Sequence, residues 1–366
     1  MSAAAQGRSR PNILFFFTDD QRFDTIRSLG NEEIVTPTLD ALAGRGTSFT
    51  NASIMGGSCP AVCMPSRAML MTGRTLYRLD RQGQQIPQEH VLLGEALRRA
   101  GYVTFGTDKW HNGPASYARS FSAGAEIFFG GMDDHWNVPA CDFDPTGRYE
   151  RRIRQTVDFG TQKVVQKTCD HIRAGKHSSE LFCDAAIDFL RSRTGGQPFF
   201  MYVSFMAPHD PRTMPEEYLA MYDPERISLP GNFLPEHPFD NGELRVRDEL
   251  LAAFPRTPEE VRRHIAAYYA MITHADAQMG RVLAALDEAG CAENTIIVFA
   301  GDNGLAVGRH GLMGKQSLYE HSVRVPLIFA GPGIPRGERS EAFCYLLDIY
   351  PTLCELAGVP LPESVE

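Results

Sequence analysis

The sequence predicts an α/β protein with a large, mostly parallel mixed sheet and helices packed on both of its faces. Short apolar runs of strand length alternate with stretches of helical pattern, as they do in βαβ units. The runs are continuously apolar, which is typical of strands buried on both faces. The chain has 366 residues, of which 43% are hydrophobic, so it can bury the core that such a sheet requires.

The predicted elements can be placed in chain order from these runs and from the Gly and Pro residues that flank them. Strands are predicted at residues 12–18, 102–105, 198–205, 295–300 and 325–330. Helices are predicted at residues 36–43, ahead of residue 101, from 258 to about 289 and around 346–356. Irregular loops over one face are predicted for residues 112–180, and a proline-containing, loop-rich insert is predicted for residues 211–256.

Composition excludes some classes of partner. The net charge is -9, from 36 basic and 45 acidic residues, which argues against nucleic acid. No apolar run approaches the roughly 18–20 residues that a membrane span requires, so we expect no membrane partner. The N-terminus lacks the apolar centre of a secretory signal. We therefore expect a cytoplasmic protein if Met1 is the natural start, and a secreted or periplasmic one if a signal peptide has been removed.

The eight cysteines form no zinc-binding pattern. They include no CxxC pair, and a chain of this length does not require a disulfide framework. We expect most of them, Cys59 included, to be small buried hydrophobic residues. Cys63 is the exception because of the residues that follow it.

Polar clusters directly follow four of the predicted strands. In open α/β sheets, ligands bind at the edge where the carboxyl ends of the strands meet, so we expect one shared site. The oxygen ligands on offer suit Ca²⁺, or Mg²⁺ in a smaller cavity, and do not suit zinc. The clusters are Asp19-Asp20, Lys109 to His111, His209 and Asp302-Asn303.

The segment that starts at Cys63 carries the strongest local pattern. It reads Cys63-Met-Pro-Ser-Arg67 and continues to Thr72-Gly-Arg74. Pro65 and Ser66 are typical of a helix start, so Cys63 is predicted at a helix N-terminus, where unpaired N–H groups favour anions. Taken alone, the pattern also fits a buried or mildly activated thiol at a helix cap.

This segment closely resembles the signature of the sulfatase family, which is Cys-x-Pro-Ser-Arg followed by Thr-Gly-Arg. The family lies in the alkaline phosphatase superfamily, and the resemblance runs from Pro11 to about Leu361. Further motifs occur in the family's order: Lys109-Trp-His111, Pro208-His209, Asp302-Asn303-Gly304, Gly314-Lys315 and Arg324-Val-Pro326.

The resemblance implies an arylsulfatase-like hydrolase of sulfate monoesters, whose substrate is a small-molecule or saccharide sulfate ester. It implies that a formylglycine-generating enzyme oxidises Cys63 to formylglycine (3-oxoalanine). It also implies a divalent metal held by Asp19, Asp20, Asp302, Asn303 and the residue formed from Cys63. The resemblance further implies that Arg67 orients the nucleophile and that His111 accepts a proton. It implies that Lys109 binds the sulfate, and that His209 or Lys315 protonates the leaving oxygen.

The chain also departs from the family pattern. Asp108 stands where the family usually has Gly, and Glu320-His321-Ser322 replaces a Glu-Gly-Gly or Glu-Gly-Ser element. We expect a disordered tail at residues 1–10. We expect a sulfatase catalytic domain at residues 11–366, with the smaller C-terminal subdomain largely absent.

Two other functions remain open from the sequence. A phosphonate monoester or phosphodiester hydrolase of the same superfamily would use the same pocket, and a non-catalytic anion- or glycan-binding protein would keep Cys63 as a thiol. Among the remaining residues, His310 is a candidate substrate contact. Asp276 has the helical context of a structural residue, and Trp110 is expected in the core.

Overall fold

The computed structural model describes residues 10–57, 62–79, 83–158 and 160–366. The predicted disordered tail, apart from Arg10, and the buried position expected for Cys59 lie outside these residues. The strands within them are β1 Asn12–Thr18, β2 Gly46–Ser53, β3 Val103–Asp108, β4 Ala123–Gly124, β5 Pro139–Ala140, β6 Arg152–Asp158, β7 Lys163–Thr168, β8 His171–Ile172, β9 Phe199–Ser204, β10 Thr295–Gly301, β11 Leu327–Ala330 and β12 Glu338–Tyr345.

Helices occupy the intervals between these strands. Their bounds are α1 Pro37–Gly44, α2 Cys63–Thr72, α3 Leu93–Arg99, α4 Pro114–Ser120, α5 Ser178–Ser192, α6 Glu216–Leu219, α7 Pro258–Glu288, α8 Glu320–Val323 and α9 Ile349–Leu356. The predicted helices at the start of α1, before Gly101, along α7 and near the C-terminus are therefore confirmed. None of the helices in the described part of the chain is both long and apolar enough to span a membrane.

Eight of the described strands form one sheet in the order β12-β2-β11-β10-β1-β9-β3-β4. Neighbouring strands in this sheet are parallel except at β11, which runs antiparallel to both β10 and β2. The prediction of a mostly parallel mixed sheet is therefore confirmed. Two small two-stranded sheets, β5 with β8 and β6 with β7, lie outside it.

The apolar runs are buried on both faces of the sheet, as predicted. All seven residues of β1 are buried, and so are all seven of β10. Phe15 and Phe17 of β1 belong to the core layer on one face, whereas Leu14 and Phe16 belong to the layer on the other. Because both faces are covered, β1 lies at the centre of the protein and its end is shielded from water.

The prediction of irregular loops at residues 112–180 was too simple. The segment contains α4, the start of α5 and both small sheets. Three strands of the main sheet, β2, β4 and β12, were not predicted. The sequences GTSFTNAS of β2 and ERSEAFCY of β12 contain no continuous apolar run, and β4 has only two residues. The partner strands of β2 and its position in the sheet override its weak local signal.

The structural roles expected for Asp276 and Trp110 agree with their positions. Asp276 lies on α7 and accepts hydrogen bonds from the backbone N–H groups of Thr38 (3.0 Å) and Leu39 (2.8 Å) at the start of α1. This carboxylate satisfies two N–H groups that the helix itself cannot pair. Trp110 is buried in the core, where its indole N–H donates to Ser116 Oγ over 3.0 Å.

Candidate active site

Sheet topology gathers the polar clusters at one edge. The strands β10, β1, β9 and β3 are consecutive neighbours and run parallel, so their carboxyl ends lie side by side. Asp302 follows β10, Asp19 follows β1, and Lys109 follows β3. The structure therefore places at a single edge the clusters that the sequence predicted to converge.

The pairs Asp19-Asp20 and Asp302-Asn303 are in direct contact at the ends of β1 and β10. The backbone N–H of Asp20 donates to Asp302 Oδ1 over 3.0 Å, and Asn303 Nδ2 donates to Asp20 Oδ1 over 2.7 Å. Asp20 has a φ of 65°, a left-handed conformation that is unusual for a residue other than Gly. Such strain is sustained where surrounding contacts hold the backbone in place, and these two hydrogen bonds are among those contacts.

Each buried carboxylate has a cationic partner. Lys109 pairs with Asp19, Arg67 Nε donates to Asp302 Oδ2 over 2.9 Å, and Lys315 Nζ donates to Asp20 Oδ1 over 2.6 Å. Buried charges are tolerated when they are paired in this way. Burial alone would raise the pKa of Asp19, but Lys109 and the other nearby cations hold that pKa well below its usual value.

Cys63 lies at the first position of α2, as predicted, and is 2% exposed. Its Sγ is 3.4 Å from His111 Nδ1 and 3.9 Å from Lys109 Nζ. Burial raises the pKa of the thiol to about 11, and Lys109 and Lys315 offset that rise only in part. Burial and the charge of Lys109 lower the pKa of His111 well below its usual value, so the imidazole is neutral.

The oxygen-rich side of the site suits a divalent cation. Asp19 Oδ1 and Asn303 Oδ1 are both buried, and neither accepts a hydrogen bond from any residue that the structure describes. Ligand atoms of Asp19, Cys63 and Asp302 all lie within 4.8 Å of one another. Burial and the nearby Asp19 raise the pKa of Asp302 to about 7. A cation bound by these carboxylates would offset the repulsion between them. Hard oxygen donors of this kind match Ca²⁺ or Mg²⁺.

Arg67 is rigidly held by contacts to three elements. Besides Asp302, its guanidinium donates to Ser204 Oγ over 2.5 Å and to the carbonyl of Lys109 over 3.1 Å. The guanidinium also lies 5.0 Å from the ring centre of Phe17. Arg67 therefore connects α2 to the ends of β9, β3 and β10. The role predicted for Arg67 in orienting the nucleophile stays a prediction.

His209 and Lys315 flank Asp20 on the outer side of the site. His209 Nε2 is 3.7 Å from Asp20 Oδ2, and its Nδ1 donates to the carbonyl of Asp210 over 2.8 Å. Burial lowers the pKa of Lys315, but Asp20 and other nearby anions raise it well above its usual value, so the ammonium stays charged. Substrate contact by His310 stays a prediction, since its partners in the structure are Tyr319, stacked at 4.1 Å, and Asn232.

Sequence reasoning missed His135, which supports His209. The ring is fully buried, Nε2 donates to the carbonyl of His209 over 3.0 Å, and Nδ1 accepts from Ser178 Oγ over 2.7 Å. Burial lowers the pKa of His135 to about 4, although the bond to His209 opposes this. A lone His in a loop-like segment carries no motif, so only the folded contacts reveal it.

The loop-rich insert also contributes to the site, which its sequence did not indicate. Glu249 accepts hydrogen bonds from the backbone N–H groups of Met313 and Gly314, both over 2.8 Å. Asp248 accepts from the amide of Gln316 over 2.7 Å. These contacts hold the loop that carries Lys315.

A cleft of about 390 Å³ opens beside the site, with Lys315 in its wall. Its walls combine apolar side chains with a few polar ones. The lining residues used below are Ile54, Val62, Val323, Leu318, Glu243 and Gln316.

Comparison with known proteins finds relatives over almost the whole chain. The sequence model of the family described as Sulfatase matches residues 11–359. An arylsulfatase of Clostridium perfringens is 31% identical over 388 residues, which cover 98% of this chain and 77% of that protein. A ulvan-active sulfatase of Formosa agariphila is 30% identical, with 98% of this chain and 64% of that protein covered.

Solved structures share the fold. A protein solved in complex with its substrate D-glucosamine-2-N,6-O-disulfate superposes with a TM-score of 0.75 at 23% identity, covering 98% of this chain and 78% of that one. The phosphonate monoester hydrolase of Agrobacterium radiobacter superposes with a TM-score of 0.72 at 24% identity, covering 96% and 74%. Both likenesses concern the backbone arrangement.

Proposed function

The chain belongs to the sulfatase family, and we propose that it hydrolyses sulfate monoesters with a nucleophile made by oxidation of Cys63 and a divalent cation. One observation carries the proposal. Cys63 Sγ lies 3.4 Å from a neutral imidazole, and it is also grouped within 4.8 Å of ligand oxygens from Asp19 and Asp302. A nucleophile at this position would have both a proton acceptor and a charge-stabilising centre within reach.

Cys63 in its unmodified form is poorly suited to attack. Burial raises the pKa of the Cys63 thiol and so favours its protonated form, whereas the thiolate is the reactive form. Oxidation to formylglycine supplies a hydrated aldehyde, whose hydroxyl can attack sulfur. The surroundings of Cys63 therefore support a modified residue over a free thiol as the nucleophile.

The ligands we assign to the cation are Asp19, Asp20, Asp302 and Asn303, together with the residue formed from Cys63. When bound, such a cation polarises the S–O bonds and lowers the pKa of a hydroxyl on it. The three buried carboxylates are already balanced by Lys109, Arg67 and Lys315. A divalent cation thus gives the pocket excess positive charge, which favours an anionic ester.

The protein side chains then divide the proton transfers between two sides of the pocket. His111 contacts Cys63 and is placed to take the proton of the second hydroxyl of the hydrated aldehyde, so that the bond to sulfate breaks, sulfate leaves and the aldehyde is regenerated. Lys109 lies 3.9 Å from the same sulfur and holds sulfate oxygens. His209 and Lys315 both lie next to Asp20, and we assign them to protonation of the leaving oxygen.

A second candidate function is hydrolysis of phosphonate monoesters or phosphodiesters. It is favoured by the fold shared with the Agrobacterium radiobacter enzyme and by the charge of the pocket, because tetrahedral sulfur and phosphorus oxyanions are alike in shape. The sulfatase family match and the arylsulfatase relative favour sulfate monoesters.

A substrate panel decides between these functions. We expect the purified protein to show a higher kcat/KM for an aryl sulfate or a sulfated monosaccharide than for a phenyl phosphonate or a phosphodiester. A reversed order would support the second candidate. If no ester is cleaved and Cys63 proves to be an intact thiol, the protein is a non-catalytic anion- or glycan-binding protein.

Removal of the candidate acids should change how the rate depends on the leaving group. We expect His209→Ala or Lys315→Ala to reduce kcat/KM by about 10²–10⁴-fold for alkyl sulfates, whose leaving oxygen requires protonation. Aryl sulfates with acidic phenols should lose much less. Plots of log kcat/KM against leaving-group pKa would measure the effect, with Lys176→Ala as a surface control. Unchanged slopes in both variants would restrict these residues to sulfate binding.

A further inference from the structure

The cleft beside Lys315 contains a carboxylate that the proposed reaction does not use. Resting on the proposed function, we propose that Glu243 makes this cleft a subsite for sulfate esters whose alcohol part is neutral or cationic. Esters that carry a second anion in the alcohol part, such as a uronate or another sulfate, are disfavoured. An amino-sugar sulfate with a free ammonium is the chemical class that this subsite fits best.

Lys315 connects the subsite to the reaction centre. Its ammonium donates to Asp20 Oδ1 over 2.6 Å, and the same residue lines the cleft. A sulfate held by Lys315 therefore carries its alcohol part into the cleft. Whatever fills the cleft is the leaving group, so residues of its wall act on the choice of substrate.

Glu243 is the unpaired charge in this wall. Of the described residues that line the cleft, Glu243 and Lys315 are the charged ones, and Lys315 is paired with Asp20. The Glu243 carboxylate has neither an ion-pair partner nor a hydrogen-bond donor among the residues that the structure describes. Its backbone is fixed, because its N–H donates to Asn241 Oδ1 over 3.0 Å.

Two acids of the same insert that hold the loop of Lys315 are themselves paired with arginines. Asp248 pairs with Arg247 over 2.9 Å, and Glu249 pairs with Arg256 over 2.7 Å. Asp210, across from them, is also held by Arg247. Among the described residues of the cleft wall, Glu243 is therefore the acid that has no cationic partner.

The rest of the cleft suits a sugar ring. Ile54, Val62 and Val323 offer apolar contact to the face of a ring, and Leu318 at the rim is 86% exposed. A carboxylate accepts hydrogen bonds from hydroxyl groups and, more strongly, from an ammonium group. The combination of apolar walls with one free acceptor matches a hydroxylated or aminated ring.

The test compares three sugar 6-sulfates that differ only in the group at position 2. They are glucosamine 6-sulfate, glucose 6-sulfate and glucose 2,6-disulfate. We would measure kcat/KM for the wild type, Glu243→Gln and Glu243→Lys at low and high salt. Glu320→Gln is the matched control, because Glu320 is 69% exposed and pairs with Arg324 outside the cleft wall.

We expect the wild type to prefer the amine over the neutral sugar and the neutral sugar over the disulfate, each step by roughly 3–10-fold at low salt. Glu243→Gln should flatten this order, Glu243→Lys should invert it, and high salt should compress the differences. The control should keep the wild-type order. An order that survives in Glu243→Lys would overturn the subsite. If the wild type cleaves none of the three sugars and no aryl sulfate, the proposed function itself is refuted.

Discussion

Replacing Cys63 by alanine is expected to reduce kcat for sulfate esters by about 10⁵-fold or more, since loss of a nucleophile leaves catalysis to binding and positioning alone. The two serine hydroxyls that contact Asp302 and Arg67 are engaged in other hydrogen bonds. Ser66 Oγ donates to the carbonyl of Asp302 over 2.6 Å, and Ser204 Oγ accepts from Arg67 over 2.5 Å. Neither of them has the imidazole contact that Cys63 makes with His111.

The measurement pairs kinetics with mass spectrometry. In the active wild type, the peptide that contains Cys63 should be lighter by about 18 Da than the encoded sequence, as expected for conversion of the thiol to an aldehyde. Cys183→Ala is the matched control, because Cys183 is a fully buried cysteine in the core. It should lower the melting temperature and leave kcat near that of the wild type. Wild-type turnover by a folded Cys63→Ala protein would refute the mechanism.

Removal of the divalent cation is expected to have the second large effect. Chelation should reduce kcat by about 10³-fold or more, because several kcal/mol of charge stabilisation is lost from the transition state. Asp302→Ala should do the same and should also abolish stoichiometric metal binding. The bound cation should raise the melting temperature, since it binds the folded protein in preference to the unfolded chain.

Metal content and activity must be followed together in this experiment. Elemental analysis of the chelated protein, then re-addition of Ca²⁺ or Mg²⁺, identifies the cation that restores turnover. Asp276→Ala is the control. This buried carboxylate accepts hydrogen bonds from backbone N–H groups of α1 and is not one of the assigned metal ligands. It should reduce stability and leave metal content unchanged. Full activity in metal-free protein would exclude the assigned role of the cation.

The central sheet was predictable from sequence because its inner strands are buried on both faces. That environment requires continuous apolar runs, and the runs at β1, β9 and β10 are typical of strands in a covered parallel sheet. The grouping of Asp19 with Asp302 followed from the same reasoning, since parallel strands end at one edge. The chemistry of Cys63 came from its resemblance to the family signature and not from the pattern of the fold.

The residues that support the site were not predictable in this way. His135, Glu243 and Glu249 act through contacts between segments that are far apart in sequence, and the residues around them form no motif. The strand β12 has mostly exposed residues at the sheet edge, so it lacks the apolar signal of the inner strands. Local sequence reports burial and turn chemistry, whereas such contacts depend on the assembled fold.

The burial of Cys63 also constrains when its side chain can be modified during synthesis. In the folded protein it is 2% exposed, and its helix is fastened to Asp302, which lies 239 residues later in the chain, from 63 to 302. A ribosome adding about 5–20 residues per second needs roughly 10–50 seconds to cover that distance. During this interval Asp302 has not yet been synthesised, so Arg67 cannot form its contact with it. The oxidation proposed for Cys63 would therefore meet an accessible cysteine on the nascent chain and a shielded one afterwards.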